Sequence, residues 1–442
     1  MVRAPLYDEA LRGSTEPWWT VEAPLDPATE PLARAEEADV AIVGGGLTGL
    51  WTALALRQRN VDVAVLEAER CGDGASARNG GFLHGYWSSL PRLVEVFGAA
   101  RALEVARSAD GIVPAVRALG EDVWLTEGGT LLVSTAPAHD ARLDRDVAVA
   151  RDLGLPGEAI ELRTDELTVR SPLFRKAVRS RDGGTVQPAR LVRALRRAVL
   201  AAGARIYEHS PVLELADGSV RTLAGSMRAR DVVVATNAWA VGLPQVAARA
   251  AVFRSAIVLT APVPDLEERI GWSGGEAISD ARTYIHYFRP TRDGRVLMGS
   301  ASGEAARAER GLRAFFPALD DIPVEYAWEG PIDVSSDRLP FFATVPGTRI
   351  HFGAGYTGNG VGPSWLGGQL LASLASGDDV SSPLVQREPA RLPPEPLKTI
   401  GAQLVRRALL AVDEAEATNR RAPVARAVAA LPRVFGLRVA SR

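Results

Sequence analysis

The residues with the clearest chemical meaning form a glycine run near the N-terminus. They fit the pattern G-x-G-x-x-G and comprise Gly44, Gly46, Leu47, Thr48 and Gly49. Between a strand and a helix, such glycines allow a tight turn and let the main chain approach a pyrophosphate at the helix N-terminus. Glu67 follows, where a carboxylate would accept hydrogen bonds from ribose hydroxyls and repel a 2′-phosphate. These residues predict a dinucleotide site that disfavours NADP and leaves NAD and FAD open.

Three further segments are rich in small and polar residues. Residues 74–81 read GASARNGG, residues 231–239 read DVVVATNAW and residues 355–361 read GYTGNGV. The first resembles a segment of γ-glutamylputrescine oxidase-like enzymes, and the others resemble flavin-domain motifs of the D-amino acid oxidase/glycine oxidase superfamily. The resemblance covers most of residues 36–385 and implies noncovalent FAD. Besides the first glycine run and Glu67, it implies binding by Gly74, Ala75, Ser76, Arg78, Asn79, Gly80, Gly81, Val212, Ala235, Thr236, Asn237, Trp239, Gly358, Asn359, Gly360 and Val361.

The chemistry of these segments suits a flat ring. Small residues at positions 74–76 and 80–81 let main-chain N–H groups approach the ring and hydrogen-bond to its edge. The loop at 358–362 precedes a predicted helix at 364–374, whose N-terminal dipole would stabilise negative charge on reduced flavin. We therefore expect the early and late glycine loops to meet around the flavin.

The same resemblance places residues 250–334 over the reactive face of the flavin. An aromatic, partly dry pocket there would favour the neutral form of an amine, which donates a hydride to flavin N5 more readily than the cation does. The imine product would hydrolyse, and oxygen or another acceptor would reoxidise FAD. The candidate pocket and catalytic residues are His84, Tyr284, His286, Trp328, Tyr356 and Asn359. Packing roles for the aromatic residues and structural roles for the histidines stay open.

The chain departs from simple amino-acid oxidases at one informative place. Those enzymes carry an Arg-Pro pair whose arginine holds the substrate carboxylate, whereas this chain has Ile332 and Asp333 there. Loss of that bidentate contact argues against a small α-amino acid and for another amine. Asp333 is interpreted either as an ammonium site or as a buried residue that stabilises a turn. No lysine lies between Lys176 and Lys398, so oxygen activation by a lysine, as in sarcosine oxidase relatives, is not expected.

Two alternative functions remain open at this stage. The first is an FAD-dependent dehydrogenase of a hydroxy acid or amino acid that uses an acceptor other than oxygen. The second is a flavin-binding module without turnover, which an enclosed reactive face would disfavour.

The order of apolar segments predicts an α/β fold joined to an antiparallel β-sheet. Apolar runs at 40–43 and 61–66 flank a predicted helix at 47–59, which makes a β-α-β unit. Further strands are predicted at 206–207, 212–213 and 231–235, and residues 250–330 alternate as an antiparallel sheet does. The result is a Rossmann-like FAD-binding domain with a discontinuous substrate domain, as in glycine oxidase. The predicted units are an irregular N-terminal arm (1–38), the FAD domain (39–90, 178–249 and 335–384), the substrate domain (91–177 and 250–334) and a linker with a basic helical tail (385–442).

Composition excludes several classes of function. The formal net charge of -2 gives no overall basic field, so no nucleic-acid partner is expected. Cys71 is the only cysteine, which rules out an internal disulfide; we interpret it as an inert thiol rather than a flavin attachment site. No metal site is predicted. The lack of a secretory signal and of a long apolar run predicts a cytoplasmic protein.

The C-terminal segment is an amphipathic, basic unit. Ile400, Leu404, Ala408, Leu409 and Val412 share one helical face. We expect this tail to fold back onto the FAD domain. A peripheral contact with an anionic membrane or a protein partner is the alternative.

Overall fold

The computed structural model describes residues 8–13, 15–434 and 437, and the strands of this part form two eight-stranded sheets and a two-stranded sheet. In chain order the strands are β1 (Ala35–Val43), β2 (Val63–Leu66), β3 (Phe82–Leu83), β4 (Thr130–Ser134), β5 (Ile160–Leu162), β6 (Lys176–Ser180), β7 (Gly184–Thr185), β8 (Arg205–Tyr207), β9 (Glu214–Ala216), β10 (Ser219–Arg221), β11 (Ser226–Val234), β12 (Ala250–Thr260), β13 (Ala277–Asp280), β14 (His286–Pro290), β15 (Val296–Ser300), β16 (Val324–Ser335), β17 (Phe341–Thr344) and β18 (Ile350–Ala354).

The α-helices lie between these strands and at both ends of the described chain. They are α1 (Trp18–Glu22), α2 (Leu47–Arg57), α3 (Leu90–Phe97), α4 (Ala99–Ser108), α5 (Ile112–Arg117), α6 (Pro137–Asp152), α7 (Pro188–Ala201), α8 (Pro244–Ala247), α9 (Leu266–Ile270), α10 (Ala305–Phe315), α11 (Pro363–Ser376), α12 (Leu397–Ala417) and α13 (Pro423–Val434).

The first large sheet has the order β17-β18-β11-β1-β2-β8, with β10 and β9 continuing from β11. β1 pairs in parallel with both β2 and β11, and α2 connects β1 to β2. The last four residues of β1 are buried on both faces, as expected for the centre of a parallel sheet covered by helices. The predicted β-α-β unit and fold class are therefore confirmed. The strand predicted at 212–213 begins two residues later, at Glu214.

The second large sheet has the order β16-β12-β15-β14-β13-β4-β6-β5. Neighbouring strands run antiparallel except β4 and β13, which pair in parallel. One face packs on α10 through an aromatic cluster made of Phe174, Trp272, Phe288, Phe315 and Phe316. The FAD-domain segment predicted from residue 178 begins inside β6, a strand of the second sheet.

The N-terminal arm is held against α7. Trp18 and Trp19 are buried and lie in the short helix α1. The sequence predicts an irregular arm, and this part of it is helical instead. The Glu22 carboxylate accepts hydrogen bonds from Arg190 (2.5 Å) and from Gln187 (2.8 Å), both on or beside α7. Residues 1–7 and 14 of the predicted arm lie outside the described residues.

The C-terminal tail packs on the second sheet, which corrects the expectation that it covers the FAD domain. The buried Asp413 carboxylate accepts hydrogen bonds from the main-chain N–H groups of Thr283 and Tyr284, both at 2.9 Å. The buried apolar residues of the tail form a small cluster with Tyr284. A helical face in the sequence does not show which domain it will meet, because both domains offer apolar surfaces.

Part of the predicted apolar face of the tail stays exposed. Ala408, Leu409 and Val412 are buried, whereas Ile400 and Leu404 are 52% and 53% exposed. A peripheral membrane or protein contact through this face therefore stays a prediction. Residues 435, 436 and 438–442 of the tail lie outside the described residues. Within the described ranges, each helix is too short or too polar to cross a bilayer.

We expect Asp413→Ala to release the tail, because it leaves two partly buried N–H groups without an acceptor. Such a loss costs roughly 1–3 kcal/mol, which corresponds to roughly a 5- to 150-fold rise in the opened population. The rate of tryptic cleavage at arginines of α12 and α13 measures this rise. Glu414→Ala, which removes a neighbouring exposed carboxylate, serves as the control. Equal cleavage rates for both variants would contradict the proposed anchor.

Candidate active site

A cavity of about 150 Å³ lies at the end of β1, where the glycine run turns into α2. Gly44 has a φ of +109°, and a Cβ placed on it would lie 2.7 Å from the Ala235 carbonyl oxygen. A Cβ on Gly49 would collide with the carbonyl oxygen of Gly44. Only glycine fits both positions, and the first turn of α2 consequently opens into the cavity.

Glu67 lies on the wall of this cavity, directly after β2. Its carboxylate accepts hydrogen bonds from the N–H groups of Gly45 (2.6 Å) and Glu69 (3.0 Å). Burial raises the pKa of Glu67 to about 7, although both hydrogen bonds favour the charged form. The side chain is therefore held in place as an acceptor beside the glycine turn.

Most residues predicted to bind the cofactor meet around this cavity, although they come from distant parts of the chain. Those that line it are Gly44, Gly46, Leu47, Thr48, Glu67, Gly74, Ala75, Ser76, Asn79, Val212, Ala235, Thr236, Asn237, Trp239, Gly358, Gly360 and Val361. Of the others, Arg78, Gly80 and Asn359 line a second, adjoining cavity. Gly49 and Gly81 line neither cavity and instead allow close main-chain contacts, Gly81 with Val186.

The polar atoms of the first cavity suit a phosphate- and ribose-bearing ligand. The Ser76 hydroxyl oxygen accepts a hydrogen bond from the Leu47 N–H (2.9 Å) at the start of α2, where an anionic oxygen is also favoured. The buried Thr236 hydroxyl has no hydrogen-bond partner among the described residues. A buried polar group of this kind normally has a partner, and a bound ligand would provide one. The residues present therefore fit a dinucleotide.

The loop at residues 74–81 lies between the two cavities and is held by indole N–H groups from the N-terminal arm and from β16. Trp19 donates to the Asn79 carbonyl (2.8 Å), and Trp328 donates to the Arg78 carbonyl (2.7 Å). The Asn79 amide donates to the carbonyls of Ala75 (3.1 Å) and Ser76 (2.7 Å). These bonds fix the main-chain surface against which a flat ring would lie.

The second cavity has a volume of about 270 Å³ and lies between the two large sheets. Residues that line both cavities are Ala75, Asn79, Ile332, Tyr356, Gly358 and Val361. The walls of the second cavity carry the aromatic side chains of Phe82, Tyr86 and Tyr287. A ligand in the first cavity would thus present one end to an aromatic chamber.

Comparison with known proteins supports a single family. Residues 39–374 match the family described as "DAO: FAD dependent oxidoreductase". The chain belongs to the DAO family of FAD-dependent oxidoreductases. FAD is accordingly the cofactor, and the resemblance noted from the sequence is confirmed.

Relatives of this DAO-family chain cover most of its length. γ-Glutamylputrescine oxidoreductase of Escherichia coli is 29% identical, over 80% of this chain and 87% of the relative. Glycine oxidase of Geobacillus kaustophilus is 28% identical, over 76% and 92%. A crystal structure of glycine oxidase from Geobacillus kaustophilus superposes with a TM-score of 0.66 and 24% identity, covering 79% of this chain and 97% of the other. This likeness confirms the fold.

Three of the six candidate catalytic residues of this DAO-family chain line the second cavity, namely His84, Tyr356 and Asn359. Tyr356 borders the cofactor as well, and its hydroxyl lies 2.9 Å from the Thr48 hydroxyl. Burial raises the pKa of Tyr356 well above its usual value, so the phenol stays protonated.

The other three candidates lie elsewhere, which corrects the sequence-based expectation. His286 faces the opposite side of its strand, where it pairs with Asp280 (3.1 Å) and packs on Phe315. Tyr284 precedes that strand and packs on the tail. Trp328 supports the loop at 74–81 from behind. Successive residues of a strand point to opposite faces. The residue types of His286 and Tyr287 both suit a pocket, so the sequence does not show which of the two faces it.

Several residues at the site were not identified from the sequence. Tyr287 lies on the cavity wall, and its hydroxyl lies 2.9 Å from the Ser255 hydroxyl. Its ring fits because Gly80 and Gly299 leave space for it; these glycines were the available signal. Arg12 of the N-terminal arm lines the cofactor cavity, and Arg338 lines the second cavity. Neither arginine was among the site residues predicted from the sequence.

Asp333 organises the site without lining either cavity. Its buried carboxylate accepts hydrogen bonds from the N–H groups of Gly355 and Tyr356 and from the Asn237 amide (3.2 Å). Burial raises the pKa of Asp333 to about 6. Asp333 thus joins the segments at 231–239 and 355–361, in agreement with the interpretation that it stabilises a turn. It does not line the substrate cavity, as an ammonium site would.

We expect FAD to bind more tightly as the pH rises through about 7. In the absence of FAD the Glu67 carboxyl has a pKa of about 7. Hydrogen bonds from the ribose hydroxyls of FAD would favour the carboxylate form and so lower that pKa. Binding then releases up to one proton, and the affinity rises by up to roughly tenfold per pH unit below that pKa. Titration of apoprotein with FAD at several pH values measures the change. Glu67→Gln should bind FAD more weakly and without this pH dependence.

We expect Trp328→Phe to weaken FAD binding while preserving the fold. The substitution keeps an aromatic ring beside Trp19 but leaves the buried Arg78 carbonyl without its donor. The cost, about 1–3 kcal/mol, corresponds to a rise of roughly 5- to 150-fold in the FAD dissociation constant. Trp272→Phe is the matched control, because the buried Trp272 N–H makes no hydrogen bond among the described residues. An equal effect of both substitutions on FAD affinity would contradict the role given to Trp328.

Proposed function

We propose that this protein oxidises a C–N bond of a small amine, with hydride transfer to flavin N5 and oxygen as the electron acceptor. The observation that carries the proposal is the shared wall between the cofactor cavity and an aromatic chamber. An amine in that chamber would have its α-carbon against the cofactor. Relatives named glycine oxidase and γ-glutamylputrescine oxidoreductase support an amine substrate class.

The aromatic walls contribute by removing water from the amine. Desolvation penalises an ammonium ion more than a neutral amine, and only the neutral amine has a lone pair to assist loss of hydride. Burial also raises the pKa of Tyr287, to about 12, so its phenol does not accept a proton at neutral pH. We assign the holding of the released amine proton to His84, whose imidazole is on the cavity wall.

The reaction balances without any further reagent from the protein. The α-carbon loses a hydride and the nitrogen loses a proton as the C=N bond forms. Bound FAD would supply the two-electron acceptor for that hydride. Water then adds to the imine and a carbonyl product and an amine or ammonia leave, while oxygen takes two electrons and two protons to give hydrogen peroxide.

Anaerobic mixing of the FAD-loaded protein with a panel of primary and secondary amines tests the proposal. We expect at least one amine to bleach the visible flavin absorbance, and oxygen to restore it with one peroxide per amine consumed. Bleaching by hydroxy acids alone would replace amine oxidation with the dehydrogenase alternative. Bleaching by amines without peroxide on reoxidation would overturn oxygen as the acceptor and leave the amine reaction in place.

A further inference from the structure

The wall of the substrate cavity contains an arginine in an unusual backbone conformation. Arg338 lies in the turn between β16 and β17 with a φ of +65°. This left-handed region is unfavourable for residues with a side chain and is normally occupied by glycine. Non-glycine residues keep such a conformation where surrounding contacts enforce it, and they concentrate at functional sites.

The contacts that enforce this conformation are present on both sides of Arg338. The carbonyl of Asp337 accepts two hydrogen bonds from the Arg92 guanidinium, at 2.9 and 2.6 Å. The Asp337 carboxylate is paired with Arg387, and the Ser335 hydroxyl donates to the Leu339 carbonyl (2.9 Å). The turn is thus fixed by four side chains, which present the Arg338 side chain to the cavity.

The electrostatic surroundings of Arg338 favour an anion. Burial lowers the pKa of Arg338, and the neighbouring Arg92 lowers it further, while the phenol of Tyr284 acts in the opposite sense. An anionic group placed here would offset the cost of holding a guanidinium away from water.

Arg338 lies on a part of the cavity wall that is not shared with the cofactor cavity. Arg338 lines the substrate cavity only, whereas Asn79 and Tyr356 line the cofactor cavity as well. A guanidinium binds a carboxylate through two parallel hydrogen bonds. We propose that Arg338 binds a carboxylate of the substrate remote from the amine that is oxidised. The oxidised amine would then be an amino-carboxylate, a conclusion that rests on the proposed function.

This assignment changes what the missing Arg-Pro pair means. With Ile332 and Asp333 in that place, the chain lacks an arginine at the position used by simple amino-acid oxidases. The structure supplies one from the following turn instead. Under this proposal the site still selects substrates that carry a carboxylate. That carboxylate lies farther from the oxidised amine than it does in simple amino-acid oxidases.

Binding of simple ligands to the FAD-loaded protein tests the subsite without catalysis. The probes are straight-chain carboxylates from acetate to hexanoate and their primary amides, measured by calorimetry and by the visible flavin spectrum. We expect one chain length to bind roughly tenfold or more tightly as the carboxylate than as the amide. Arg338→Gly should abolish this ratio, and Arg338→Lys should retain part of it. A ratio near one in the unaltered protein, or an unchanged ratio in Arg338→Gly, overturns the proposal.

Glycine is chosen as the replacement for Arg338 because it adopts a φ of +65° without strain, so the substitution should not destabilise the fold. We expect Arg338→Gly to unfold at the same temperature as the unaltered protein, or higher. Asn60→Gly, at a left-handed position (φ +61°) after α2, shows the effect of the same backbone relaxation without loss of a charge.

Turnover provides a second readout that distinguishes the two proposals. With a series of amino-carboxylates and their amides, Arg338→Gly should lower kcat/KM for the carboxylates by roughly 10- to 100-fold more than for the matching amides. If amines are oxidised with no such difference, the carboxylate site fails and the proposed function stands. If no amine is oxidised, the proposed function fails, and the binding ratio still decides the carboxylate site.

Discussion

A flat ring can lie against a protein only where side chains are absent and the main chain is held still. The glycines at 44 and 49 form the tight turn beside this surface, because a Cβ on either would occupy the space of a neighbouring carbonyl. The loop at 74–81 meets both, since its small residues expose the main chain and two indole N–H groups fix its carbonyls. The rest of the molecule is arranged around this bare surface. The parallel sheet brings the glycine turn to it, and the second sheet covers the side where substrate would enter.

The parts of the site that could be predicted from sequence are those whose geometry is local. The turn at Gly44–Gly49 and Glu67 belong to one β-α-β unit, so their spacing along the chain sets their distance in space. The helix after the late glycine loop was predicted for the same reason, and it forms α11.

The parts that could not be predicted depend on which face of an element meets which neighbour. His286 and Tyr287 are adjacent in one strand, and only the register of the folded sheet puts Tyr287 in the cavity. Similarly, the tail helix has an apolar face that suited either domain, and the acceptor geometry of Asp413 for two N–H groups placed it on the second sheet. Arg338 was not predicted, because a left-handed turn can be recognised in a sequence when glycine occupies it, and this turn has an arginine instead.

The two segments outside the family match act on opposite ends of the active site. The match covers residues 39–374, whereas Trp19 of the arm holds the Asn79 carbonyl and Asp413 of the tail holds the main chain at Tyr284. The first contact fixes the loop beside the cofactor, and the second fixes the residue whose phenol interacts with Arg338. The arm therefore supports the loop beside the cofactor cavity, and the tail supports the main chain at Tyr284. The glycine turn between them stays unchanged, because its close main-chain contacts tolerate no substitution.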